Sequence, residues 1–299
     1  MDTAIELQHI CKSFRQGWAR NEVQALSNLT LSVSVGEAFG FIGQNGAGKS
    51  TTIKILTGAL RHDSGQARLF GVNVMDYRSR KGMGYVPENP WLYEYLTPRE
   101  ILTMGIAAHG HRKGYDMKSY AMGWLERFDL GRVADRAVRG FSKGMLQRTA
   151  LAHALAGEPR LLILDEPLSG LDPVGRREVV DILLDYRRNG GTLFFSSHVL
   201  HDVERLADRF GLIHKGHLHS VQQPAEVWSS SEAVFVRSIG EGAVAGMQPD
   251  VGGRWSGEVR PDGLWDLMVA LREAGHTLLE VKPSMSLEKL FLDVVRRNH

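Results

Sequence analysis

Residues 43–51 read Gly-Gln-Asn-Gly-Ala-Gly-Lys-Ser-Thr and fit the pattern G-x-x-x-x-G-K-[ST]. They follow the apolar run 37–42 and precede 52–56, so a strand, a loop and a helix succeed one another as this pattern requires. Glycines at Gly43, Gly46 and Gly48 let the backbone around Asn45 curl until successive N–H groups point at one anion. The helix that opens at Lys49, Ser50 and Thr51 turns its positive end toward the same place. Lys49 can reach terminal phosphates, and the Ser50 hydroxyl can ligate Mg²⁺. The chemistry indicated is binding of a nucleoside triphosphate.

A second group sits at residues 161–167, Leu-Leu-Ile-Leu-Asp-Glu-Pro. Four aliphatic residues predict a buried central strand, and Asp165 and Glu166 fall at its C-terminal end, where open α/β sheets bind ligands. Asp165 can hold Mg²⁺, directly or through water. Glu166 can polarise a water attacking the terminal phosphate. A third group, residues 141–148, precedes an apolar helical pattern, with Ser142 as a natural N-cap. By its residues alone it is a helix start able to take an anion, or simply a capped surface helix.

These groups need a scaffold, and the pattern supplies one. Strands are expected over 5–10, 29–35, 38–42, 66–70, 82–86, 160–164, 192–196 and 210–214. Helices are expected over 49–60, 173–188 and 199–207, and in a stretch from 97 to 156 broken near 110–114 and 139–142. Thr97, Pro98 and Glu100 have the types and spacing of a helix start with a reciprocal cap. The fold class is α/β, a mostly parallel sheet interrupted by a helical insertion at about 90–156. Composition shifts after Pro224. Residues 240–263 are rich in glycine and predict loops or short twisted strands, 263–274 a helix, 277–281 a strand and 287–297 an amphipathic helix. The expected division is 1–222 and a small α+β appendage over 225–299.

Composition narrows the class. The chain has 299 residues, 43% hydrophobic and 23% charged, ordinary values that leave enough apolar material for a core. Its only cysteine, Cys11, can form no internal disulfide, which suits a reducing compartment. The first residues lack the basic start and apolar core of a secretory signal. No apolar run approaches the roughly 20 residues of a membrane span, so work at a membrane would go through another chain. A net charge of +2 without a basic stripe argues against nucleic acid as a partner. His214, His217 and His219 read as a surface β-turn rather than a metal site.

The motifs, in their order and spacing over residues 4–222, resemble those of ATP-binding cassette (ABC) ATPase subunits. Residues 43–51 are similar to the phosphate loop of that family, 161–166 to its magnesium strand and 141–147 to its signature. Residues 169–172, Ser-Gly-Leu-Asp, resemble its dimer-communication loop, and 196–198, Ser-Ser-His, its switch-histidine motif. The resemblance implies a P-loop cassette with an antiparallel β subdomain and a helical signature subdomain beside the parallel sheet. It implies ATP and Mg²⁺ as ligands and a head-to-tail homodimer in which each ATP lies between the two chains. Ser142 and the Gly144 backbone would then contact the γ-phosphate held by the partner, and Asp172 would lie at the seam. His198 would align the attacking water with Glu166, and Phe14, with Trp18 nearby, falls where the family stacks an aromatic ring on adenine.

Two departures from the usual family pattern stand out. The common signature, Leu-Ser-Gly-Gly-Gln, is here Phe-Ser-Lys-Gly-Met, so Lys143 stands where glycine is usual and brings positive charge toward the interface. Glu88 stands where the family places a glutamine that touches both Mg²⁺ and the membrane partner. Both, with the ending Ser-Leu-Glu-Lys-Leu-Phe at 286–291, resemble cassettes of type-two ABC exporters, which pair with separate transmembrane permeases. That implies a peripheral position on the cytoplasmic face of the cell (inner) membrane. Trp91, Tyr93 and Tyr95 could form the permease groove or pack beneath the helical subdomain. The rival readings are a soluble ABC ATPase acting on ribosomes or DNA, and a P-loop phosphotransferase. The first usually carries two cassettes or long coiled-coil insertions, and the second needs neither Ser142 nor Asp172.

Overall fold

The computed structural model describes residues 2–15, 22–108, 116–229 and 233–284. Two compact units emerge, Met1–Val221 and Gln222–His299. In the first, the strands are β1 (Thr3–Arg15), β2 (Glu22–Ser34), β3 (Ala38–Ile42), β4 (Ser64–Leu69), β5 (Val72–Asn73), β6 (Met83–Val86), β7 (Leu161–Leu164), β8 (Thr192–Ser197), β9 (Arg209–His214) and β10 (His217–Gln222). Its helices are α1 (Lys49–Leu56), α2 (Pro98–Ala108), α3 (Met117–Arg127), α4 (Lys143–Ala156), α5 (Pro173–Arg188) and α6 (Leu200–Leu206).

A six-stranded sheet in the order β10-β9-β3-β8-β7-β6 carries the unit. The pairings β9·β3, β3·β8, β8·β7 and β7·β6 are all parallel. Every residue of β3, β7 and β8 is buried, as expected for parallel strands covered on both faces. Phe39 and Phe194 stack across β3 and β8 with ring centroids 5.9 Å apart. Each such ring contributes roughly 1.5–3 kcal/mol by leaving water. Gly40 keeps the sheet thin where α6 crosses, since a Cβ there would stand 2.8 Å from Val203.

The antiparallel sheet β2-β1-β4-β5 packs Ile5, Leu7, Leu29 and Leu31 into the same core as Phe39 and Ile53. β1 and β2 run well beyond the expected 5–10 and 29–35. Register shifts between Leu7 and Ile10 and again before Lys12 break the two-residue alternation that would have revealed their length. Helix α1 is shorter than the expected 49–60, because Gly58 adopts φ +71 and its N–H returns to the Ile55 carbonyl.

The insertion between β6 and β7 is helical. At its start Thr97 and Glu100 cap reciprocally. The Thr97 N–H donates to Glu100 Oε2 at 2.8 Å and the Glu100 N–H to Thr97 Oγ1 at 3.2 Å. The Thr97 N–H, and then the Thr97 hydroxyl donating to Glu100 Oε2 at 3.0 Å, hold the Glu100 carboxyl below its ordinary range. The break expected near 110–114 and Trp18 lie outside the described residues.

The second unit holds α7 (Pro224–Ser229), β11 (Val234–Ile239), β12 (Gln248–Asp250), β13 (Arg254–Val259), α8 (Leu264–Glu273) and β14 (Thr277–Pro283). Its sheet, β12-β13-β11-β14, is antiparallel, and Leu267 and Leu271 of α8 close a small core over Val236 and Met247. The glycine-rich segment 240–263 therefore contains two short strands. The helix expected over 287–297 and the 286–291 motif lie outside the described residues.

Candidate active site

Register sets the site. Ile42 pairs with Ser197 across β3 and β8, and Leu164 with Phe195 across β7 and β8. The loops leaving the C-terminal ends of β3, β7 and β8 therefore begin side by side, with the end of β6 next in line because Val86 pairs with Leu164.

The first loop curls as its glycines allow. Gly48, at φ +114, is the N-cap of α1, and a Cβ there would stand 2.8 Å from the Ala25 carbonyl oxygen. A Cβ on Gly43 would stand 2.5 Å from the Ile213 carbonyl oxygen. The buried Lys49 ammonium donates to the Gly43 carbonyl at 2.6 Å and lies 3.4 Å from Glu166 Oε1. A cavity of about 250 Å³ opens here. It is lined by Asn45, Gly46, Gly48, Lys49, Ser50 and Thr51, by Glu88 beyond β6, and by Glu166.

The second loop holds the carboxylates. Glu166 takes φ +49, a left-handed conformation uncommon for a glutamate, and Ser196 holds it there. The buried Ser196 hydroxyl accepts from the Glu166 N–H at 2.9 Å and donates to Asp165 Oδ1 at 2.6 Å. The third loop adds His198, whose Nδ1 lies 2.8 Å from Glu166 Oε2. Glu166 thus bridges Lys49 and His198, and both of its oxygens face cations or potential donors. Burial, and then the charge of Asp165, pushes the Tyr85 hydroxyl above its ordinary range.

The structure thus brings Lys49, Asp165, Glu166 and His198 together and sets Glu88 and Ser50 on the same cleft. It does not bring every expected residue there. Phe14 is 42% exposed on β1, with the Lys12 ammonium 5.5 Å from its ring centroid, and it does not line the cleft. Asp165 and His198 are outside its lining too, joined to it through Ser196 and Glu166, and Ser142, Gly144 and Asp172 do not line it either. Ser142 is exposed and caps α4, accepting from the Met145 N–H at 3.2 Å. Asp172 is exposed and caps α5, accepting from the Gly175 N–H at 2.7 Å. Ser196 is the residue whose part the sequence concealed, since its two partners lie about thirty positions away.

Oxygen donors suit a hard cation. The Ser50 hydroxyl and the Glu88 carboxylate share the cleft, and Asp165 keeps one carboxylate oxygen free of the Ser196 bond. Among the described residues no group of three or more His, Cys, Asp or Glu side chains could hold a metal by itself. This set fits Mg²⁺ carried in with phosphate oxygens rather than a cage made wholly of protein.

A parallel sheet with a glycine-rich phosphate loop, a buried lysine and a strand-end carboxylate pair defines a P-loop ATPase. The profile of the ABC transporter family matches residues 26–169. An ABC transporter ATP-binding protein of Nostoc sp. is 33% identical over 96% of this chain and 88% of its own length. The bacitracin transport ATP-binding protein of Bacillus licheniformis is 38% identical over 73% of this chain and 69% of its own. A solved ATP-binding subunit of an ABC transporter superposes with a TM-score of 0.67 at 30% identity, covering 76% of this chain and 92% of that one. The chain belongs to the ATP-binding proteins of ABC transporters. It binds ATP and is an ATPase. Among the described residues no helix is long and apolar enough to cross a membrane.

Proposed function

We propose that two copies of this chain close head to tail on ATP and Mg²⁺, and that the closure drives export through a separate transmembrane permease at the cytoplasmic face of the cell membrane. The observation that carries the reading is a division of labour. Lys49 and Glu166 line one cleft and His198 joins it through its contact with Glu166, whereas Ser142 and Asp172 are outside that lining and cap helices of their own, with Gly144 beside Ser142. A helix start and an aspartate exposed in this way are available to the nucleotide of a second chain.

In that dimer the phosphate loop and Lys49 neutralise the β- and γ-phosphates. Ser50, with Asp165 and Glu88, would hold Mg²⁺, which supplies charge neutralisation between the phosphates. Glu166 takes a proton from the attacking water. His198 meets Glu166 through Nδ1, so Nε2 is the nitrogen left for a phosphate oxygen. Phe14 would meet the adenine from β1. Ser142 and the Gly144 backbone, at the start of α4, complete the partner's site. Loss of the γ-phosphate removes the bridge between the chains, and the dimer opens. Trp91, Tyr93 and Tyr95 are 87, 71 and 80% exposed, a cluster suited to a permease segment. Cargo choice belongs to that permease.

The test is Glu166→Gln. Hydrolysis should fall by roughly a hundredfold or more, the scale of a lost general base, while light scattering detects a dimer that persists in ATP and Mg²⁺. A variant that stays monomeric at saturating ATP overturns the composite site.

A further inference from the structure

Lys143 occupies the signature position where the family usually carries glycine, and its side chain has a definite place. Its ammonium donates to Ser169 Oγ at 3.1 Å. Among the described residues it forms no ion pair, so this hydroxyl is its recorded polar partner. The aliphatic stem lies over Gly170, which takes φ +76. A Cβ on Gly170 would stand 2.8 Å from Lys143 Cδ, so the stem packs directly on the bare glycine.

The contact is one of several. A Cβ on Gly144 would stand 3.1 Å from the Gly170 carbonyl oxygen. The fully buried Gln147 donates to the Pro167 carbonyl at 3.1 Å. The first turns of α4 therefore rest on residues 167–170, immediately after Glu166. The Ser169 N–H closes back on the Glu166 carbonyl at 3.1 Å. Lys143 and Ser169 thus join the helix start that would meet the partner's ATP to the main chain of Glu166, the residue whose carboxylate activates water on this chain's own ATP.

We infer that Lys143 is a positioning residue, a strut that locks the 167–170 loop to α4 and so makes hydrolysis at Glu166 respond to the nucleotide seated against Ser142. The inference rests on the two-chain site proposed above. A glycine at this position could carry no such strut. The ammonium gives one of its three donors to Ser169 on its own chain, and a strut and a phosphate ligand separate in kinetics. A strut acts on the catalytic step and on communication between the sites, whereas a phosphate ligand acts on ATP affinity.

The experiment is a cycle of Lys143→Met, Ser169→Ala and the double variant, with Lys143→Arg as the conservative control. Steady-state ATPase is measured across ATP concentration on the full chain. Methionine keeps a stem over Gly170 and removes the donor. The expected result is a fall of about three- to tenfold in kcat for each single variant, the range of one intramolecular hydrogen bond, with KM within about twofold. The double variant should be no worse than either single one, the Hill coefficient for ATP should fall toward one, and Lys143→Arg should restore most of kcat. A Lys143→Met variant that raises KM with kcat intact, effects that multiply in the double variant, or a silent Ser169→Ala overturns the strut. Should Lys143→Met fold poorly, Ser169→Ala decides alone, by the same criterion on kcat. Dimerisation in ATP and Mg²⁺ is measured separately on Glu166→Gln with Lys143 and Ser169 intact. Failure of Glu166→Gln itself to dimerise removes the composite site, whereas normal dimerisation with multiplicative kinetics removes only the strut.

Discussion

Ser196→Ala tests whether the site is built as described, because one buried hydroxyl serves both carboxylate residues. Ser196 is fully buried at the end of β8. It accepts from the Glu166 N–H at 2.9 Å and donates to Asp165 Oδ1 at 2.6 Å. Alanine removes one oxygen and strands a backbone donor and a carboxylate oxygen where water has little access. A stranded buried donor costs about 1–3 kcal/mol, and a lost bond to a charged group about 1.5–3 kcal/mol. The carboxylate can turn toward water, so the sum is about 2–5 kcal/mol, a large part of the roughly 5–15 kcal/mol that holds a domain folded. Denaturant unfolding without nucleotide should show this as a lower midpoint at an unchanged slope. Glu166 keeps its left-handed backbone by the same bond, so kcat should fall by about ten- to a hundredfold, the upper figure being the cost of a catalytic group misplaced by about 1 Å. KM for ATP should stay within about twofold, since Ser196 does not line the phosphate cleft. Ser197→Ala is the control. Among the described residues that hydroxyl bonds the backbone of Val199, two residues on, at 2.9 and 3.1 Å, and its loss should cost about 1 kcal/mol with little change in kcat. If Ser196→Ala costs no more than Ser197→Ala and hydrolyses ATP normally, the hydroxyl does not organise the carboxylates and the account of Glu166 is wrong.

Two further outcomes follow from groups placed by the fold. Gly48→Ala should lose clearly more stability than Gly46→Ala. Both carry the roughly 1–3 kcal/mol of a non-glycine residue at positive φ, but only a Cβ at Gly48 meets a carbonyl oxygen at 2.8 Å while one at Gly46 meets nothing within 4 Å, and equal midpoints in thermal unfolding would refute the difference. Tyr186 is held neutral by burial, which raises its pKa, with its hydroxyl between the carbonyls of Pro159 at 3.0 Å and Thr192 at 3.2 Å. A raised folded-state value means its stabilisation is whole below the unfolded value of about 10 and is lost as pH climbs toward the folded one, by about 1.4 kcal/mol per pH unit, so Tyr186→Phe should flatten the alkaline limb of a stability–pH curve and an unchanged limb would refute it.

The legible parts of this molecule are those where chemistry dictates residue type at fixed spacing. The phosphate loop, the strand-end Asp165 and Glu166, and the Thr97 cap are local arrangements, and each is found where its spacing put it. The length of β1 was hidden because register shifts break its alternation, and the end of α1 because one glycine turns left-handed at residue 58. What the sequence could not display are the contacts that cross it. Ser196 meets Asp165 across 31 positions and Lys143 meets Ser169 across 26, and no period or motif links such pairs. Both are set by which strands and helix starts lie side by side, a property of the parallel register rather than of any window of residues. The same register explains why a departure at Lys143 reads from sequence as extra charge near the interface and from structure as a bond to the loop after Glu166. In a sheet that gathers its loops at one end, a lysine at a helix start has its own chain's loop within reach, and here its ammonium meets Ser169 Oγ at 3.1 Å.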